Sequence, residues 1–122
     1  MIRAIGRWAE ICWQEGRLIE AIEIFQHLFR ANPHDNTGCR FSILAIRMGL
    51  PDDYLKTHFA IKDQPEYLNA VEMEKWFDKN RVKFPEEFDW WFRFLNEEDL
   101  ANKAIEAHEE AMVRPIKPQG HD

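Results

Sequence analysis

The chain has the side chains that chemistry needs: five histidines, two cysteines and 22 aspartates and glutamates in 122 residues. Their spacing does not assemble them. His27, His34, His58, His108 and His121 stand at no recognised metal-ligand interval. His108-Glu109-Glu110 lacks the second histidine, four residues after the first, that a zinc-protease helix requires. Glu10 and Glu23 fall on separate expected helices, and Glu72 and Glu74 on a later one. Such carboxylates do acid–base work only at close range and with shifted pKa values. No Ser/His/Asp or Cys/His order stands out. The sequence therefore assigns no catalytic residue, metal ligand or cofactor, and the expected reading is non-enzymatic.

Asp35, Asn36 and Arg40 form the most distinctive polar group. Two roles are open to them. They anchor a ligand chain, or they lock a turn, with Asp35 capping the next helix and Arg40 pairing with a nearby acid. The aromatic run Phe88, Trp90, Trp91, Phe92 and Phe94 poses a similar choice. It cannot all face one narrow stripe. Either the helix is buried on two sides, or Trp90 and Phe94 belong to a partner or dimer surface.

The elements that must position these groups read as helices. Hydrophobic residues make up 45% of the chain and aromatics 13%, enough to bury a core. Pro33, Pro51, Pro65, Pro85, Pro115 and Pro118 fall at expected boundaries. Helices are expected over about 2–15, 18–31 and up to Met48, with a short one over 52–59. A connector at 61–64 precedes a helix from near Pro65 to Asn80. Another runs from Pro85 to about Leu95, and a last one is capped by Asn96. In the first helix, Ile5, Trp8, Ala9, Cys12 and Trp13 share a face; in the last, Leu100, Ala104, Ala107 and Ala111 do. Strand signals are weak. One domain over 1–114 and a flexible polar tail over 115–122 complete the expectation.

Residues 1–50 hold six Lys/Arg and five Asp/Glu, whereas 51–122 hold ten and seventeen. The acidic half repels phosphate backbones and suits a basic partner, so nucleic acid is not expected. Cys12 and Cys39 read as small buried hydrophobes of a reducing compartment. No apolar run approaches the length of a membrane span, and no secretory segment opens the chain. The expected location is cytoplasmic, with no membrane partner.

The first 49 residues carry a resemblance. Trp8-Ala9, Gly16, Glu20-Ala21, Phe25, Leu28 and Pro33 fall at the intervals of a tetratricopeptide repeat laid on residues 2–35. The stretch Asn32-Pro33-His34-Asp35-Asn36-Thr37-Gly38-Cys39-Arg40-Phe41 resembles the Asn-Pro-x-Asp-Asn-x-Gly-x-Arg-aromatic signature of a divergent tetratricopeptide-like family. That family includes bacterial proteins of unknown function and the suppressor-of-tumorigenicity-7 proteins. The resemblance implies an all-α fold of stacked antiparallel hairpins, an α-α superhelix with a groove, and a scaffold role without catalysis.

Helical phase then nominates Arg7, Glu10, Gln14, Arg40, Ile43 and Arg47 as groove residues for a peptide or partner helix, with Trp90 and Phe94 as a second surface. The arginines suit a ligand with a carboxylate or acidic end. The alternatives are a structural homodimer built on aromatic surfaces, and a small enzyme or a regulatory subunit of one.

Overall fold

Ala9, Cys12 and Trp13 return to one side of a helix every three or four residues, and that side is buried. They lie on α1 (Ile2–Gln14) of a computed structural model that describes residues 2–113 and the side chains of 4–113. α1 stops in a Schellman turn. The Arg17 N–H donates to the Cys12 carbonyl over 2.8 Å and the Gly16 N–H to the Trp13 carbonyl over 3.0 Å. Gly16 takes the left-handed φ of +80° that this turn demands.

The tight link returns the chain as α2 (Leu18–Ala31), which packs on α1 and on α3 (Cys39–Arg47). α2 buries Ala21, Ile22, Phe25, Leu28 and Phe29. α3 is buried along its whole run from Cys39 to Ile46, Ser42 excepted. It ends as α1 does. Leu50 N–H donates to the Ala45 carbonyl over 2.9 Å, and Gly49, at φ +75°, donates to Ile46 over 3.0 Å. The Trp13 indole N–H reaches the Leu50 carbonyl at 3.2 Å and ties the two helix ends together.

Ile5 and Trp8 depart from the expected buried face and are 41% and 48% exposed. α1 packs chiefly on α2, so one flank of its apolar face stays open. The Arg17 guanidinium sits 5.0 Å from the Trp8 ring centroid and partly covers it.

After α4 (Tyr54–Phe59) the chain turns through β1 (Ala60–Ile61) and β2 (Gln64–Leu68), an antiparallel hairpin. Ala60 pairs with Leu68 and Ile61 with Gln64, with an irregularity between them. The hairpin corrects the expected connector at 61–64 and the expected helix start near Pro65. Pro65 has no N–H to donate and sits without cost in a strand with a free edge. The helix start falls to Asn69, whose Oδ1 accepts the Glu72 N–H at 3.1 Å, so α5 begins later and spans Ala70–Asn80.

Phe77 of α5 is fully buried, with its ring edge-on to Phe41 at 5.7 Å and to Phe88 at 4.9 Å. A 3-10 turn (Arg81–Lys83) leads into α6 (Pro85–Val113), a single helix of 29 residues. The expected break at Asn96 does not occur. No glycine or proline interrupts the chain between Pro85 and Val113, and the Asn96 side chain is exposed.

The chain divides into two compact units: Met1–Phe88, which carries α1 to α5 and the first turn of α6, and Asp89–Asp122, which carries the rest of α6. Among the described residues the fold is mostly helical, with six α-helices and the one small hairpin. The polar tail expected at 115–122 lies outside the described residues. No described helix is long and apolar enough to cross a membrane.

Candidate functional site

Asp35 takes a φ of +57°, unusual for a residue with a Cβ but accessible to aspartate. Its side chain is 1% exposed. One oxygen accepts the Cys39 N–H at 2.7 Å. The other accepts the Arg40 N–H at 3.1 Å and the Arg40 Nη1 at 2.8 Å. Asp35 thus satisfies the open amides at the start of α3 and neutralises a buried guanidinium. Gly38, at φ +75°, lets the chain enter α3, and a Cβ there would meet the Phe41 ring at 3.3 Å. Arg40 extends from Asp35 to Glu74 on α5 and lies 4.1 Å from the Phe41 ring centroid. Burial pushes the Asp35 carboxyl above its ordinary value, while the bonds and charge from Arg40 and the Cys39 N–H pull it back. Two members of the polar group singled out in the sequence, Asp35 and Arg40, therefore join a turn, α3 and α5 from within, while Asn36 is exposed.

Beside this lock lies a cleft of about 360 Å³ in the first unit. α1 contributes Gly6, Arg7 and Glu10, and α2 contributes Phe25 and Leu28. Thr37, Cys39 and Ser42 complete it from the turn and α3. Gly6 leaves room: a Cβ there would stop 3.9 Å from Leu28 Cδ1. Thr37 Oγ1 and Cys39 Sγ are 3.3 Å apart. Burial pushes the Cys39 thiol up; the Thr37 bond opposes this and the Asp35 charge adds to it. Such a thiol is a poor nucleophile at neutral pH. The lining offers one guanidinium, one carboxylate and two hydroxyls beside the apolar Phe25 and Leu28.

The eight residues nominated from sequence part company here. Arg7 and Glu10 line the cleft. Gln14 is exposed at the end of α1. Ile43 is 1% exposed and belongs to the core, and Arg40 is held inside by Asp35 and Glu74. Arg47 is exposed and pairs with Glu87 at 3.1 Å; the same carboxylate accepts the Gln26 amide at 2.7 Å. Trp90 and Phe94 are half-buried on α6. Sequence phase missed Gly6, Thr37 and Ser42. Gly6 was legible as a gap one position before Arg7 on the same helix, whereas the hydroxyls depend on how the turn before α3 is folded.

Among the described residues no group of three or more His, Cys, Asp or Glu side chains could hold a metal ion. No protein-family model, curated protein or solved structure matches the chain.

Proposed function

We propose that residues 1–88 form a tetratricopeptide-like scaffold that binds a peptide or partner segment in the cleft between α1 and α3, without catalysis. The observation that carries this reading is the cleft itself, which Arg7, Glu10, Thr37 and Ser42 line together with Phe25 and Leu28. An extended peptide needs that combination of apolar contact and fixed polar groups. Further support comes from repetition. α1 and α3 end in the same glycine turn, at Gly16 and Gly49, separated by close to the roughly 34-residue tetratricopeptide period.

The ligand's chemistry follows from Arg7. Arg40 and Arg47 already hold carboxylates of the chain itself, so Arg7 is the guanidinium of the nominated set that lines the cleft. A peptide with a free acidic C-terminus suits it. The test uses fluorescein-labelled peptides ending in aspartate, with a free or an amidated C-terminus, read by anisotropy. The free acid is expected to bind about tenfold more tightly, and Arg7→Ala to remove that preference. Equal binding of the two peptides, or an unchanged preference in Arg7→Ala, sinks the proposal. Arg40→Ala does not serve, because Arg40 is buried and bridges Asp35 and Glu74 within the fold.

A homodimer is the second reading, favoured by the exposed Ile5, Trp8, Leu18 and Ile19 on α1 and α2. A light-scattering mass of twice 14.6 kDa that falls to 14.6 kDa in Trp8→Gln would support it.

A further inference from the structure

Every residue of α6 from Asp99 to Val113 is exposed. The stretch nevertheless has a mainly apolar side, with His108 near its middle. At the helical repeat, Leu100, Ala104, Ile105, Ala107, Ala111 and Met112 fall within an arc of about 160°. Leu100, Ile105 and Met112 are 57%, 54% and 71% exposed. The half-buried Trp90 and Phe94 lie in phase with Ile105 and Met112, so the apolar side continues along the helix toward its start. The remaining arc is mostly acidic: it holds Glu98, Asp99, Glu106, Glu109 and Glu110 against Lys103, while Glu97 falls in phase with the apolar side just before the exposed stretch.

We infer that this face docks an amphipathic helix of another protein whose apolar stripe is bordered by lysine and arginine. Three alanines between the larger side chains let a second helix come close and seat its own side chains between Leu100, Ile105 and Met112. The charge selects the occupant. A second copy of this helix would bring one acidic border against another, and an anionic membrane surface would be repelled by it. A basic border is attracted along the edge that Glu98 and Glu109 line, and the asymmetry with the Lys103 edge fixes the register. This surface shares no residue with the α1–α3 cleft.

The test uses the full chain and two labelled helical peptides of about 15 residues, matched to the exposed stretch. Both carry the same leucine and alanine stripe; one has lysines on its polar side and the other glutamates. Anisotropy titrations at physiological ionic strength are expected to show the lysine peptide binding at least about tenfold more tightly than the glutamate peptide. The triple variant Leu100→Gln, Ile105→Gln, Met112→Gln is expected to lose about tenfold or more for the lysine peptide, with Arg7→Ala unchanged. These substitutions are at exposed positions, and retained thermal unfolding shows that the fold survives them. Equal binding of both peptides overturns the inference, as does lysine-peptide binding that the triple variant keeps, which would be charge attraction alone. A wild-type dimer that the triple variant dissolves overturns it in favour of a second copy.

Discussion

α3 and the distal half of α6 are both helices with an apolar face, and the molecule treats them in opposite ways. α3 is short, and its residues from Cys39 to Ile46 are buried with the exception of Ser42. The distal part of α6 is longer, and from Asp99 onward every described residue is exposed. A helix as short as α3 is unstable alone and persists through the packing of α2, α4 and α5 around it. The distal α6 has to rely on local terms: alanines, leucine and glutamates of high helix propensity, and the Asp99–Lys103 pair at 3.0 Å, one turn apart. Amphipathic pattern therefore tells which side of a helix is apolar, and only the surrounding fold tells whether that side is covered.

The sharpest way to break this contrast is through the core that holds α3. Phe77→Ala removes a fully buried ring packed against Phe41 and Phe88. The loss is expected to be about 3–5 kcal/mol in urea unfolding of the first unit. A loss under about 1 kcal/mol would mean that α5 does not support α3 as described.

Next in size is the lock at Asp35. Asp35→Ala uncovers two amides of α3 and removes a carboxylate from the buried Arg40, at an expected cost of about 3 kcal/mol. Glu74 is 47% exposed on its side chain, and Glu74→Gln is expected to cost under about 1 kcal/mol. Equal costs would remove the distinction between the two acids. pH adds a second readout. With the Asp35 carboxyl raised above 3.8 in the folded state, the native chain holds a proton that the unfolded chain has already released. The stability owed to this proton is complete below 3.8 and is lost as pH rises through the folded pKa. Asp35→Asn is expected to remove that slope, seen as a flatter plot of urea midpoint against pH.

These residues also mark how far the sequence could be read. The first hairpin was legible because its signals are local: Ala9 and Cys12 in helical phase, Gly16 at the turn, Pro33 past the end. The turn role of Asp35 was legible as one of two choices, since aspartate before a helix offers the cap whatever else surrounds it. The partner of Arg40 was not, because Glu74 comes from another helix far along the chain. The hairpin at Ala60–Leu68 was missed for a related reason. Its strands are short and do not alternate, and their pairing depends on α4 delivering Phe59, whose carbonyl accepts the Asn69 N–H at 2.7 Å. The cleft was half legible. Arg7 and Glu10 follow from the phase of α1, while Ile43 has the same kind of position on α3 but is sealed inside. Phase gives an azimuth on one helix, and burial is a property of the neighbours.

A smaller effect sharpens the contrast from the α6 side. Ala107→Gly is expected to weaken the distal helix by about 1 kcal/mol, through backbone entropy alone. Hydrogen exchange should show amides on either side of position 107 opening more readily, with the urea midpoint of the first unit unchanged. A shift of that midpoint would show that the distal helix and the α1–α5 core unfold together.

The smallest expected effect is the most discriminating. Leu100→Gln in a core would cost several kcal/mol, because it would bury an amide and empty an apolar site. At 57% exposure the same change should alter stability by under about 0.5 kcal/mol. It keeps a good helix former in place, so the helix itself gives no reason for a larger loss. The measurement is thermal unfolding at two protein concentrations differing by about a hundredfold, the range over which association becomes visible by mass action. A near-zero change at both concentrations fits a face left open for another protein. A loss that appears only at the higher concentration means that a second copy covers Leu100, and the acidic border of α6 is then offset by contacts that its charge pattern does not reveal. A loss at both concentrations means that Leu100 is covered within one chain, and the difference between α3 and the distal α6 disappears.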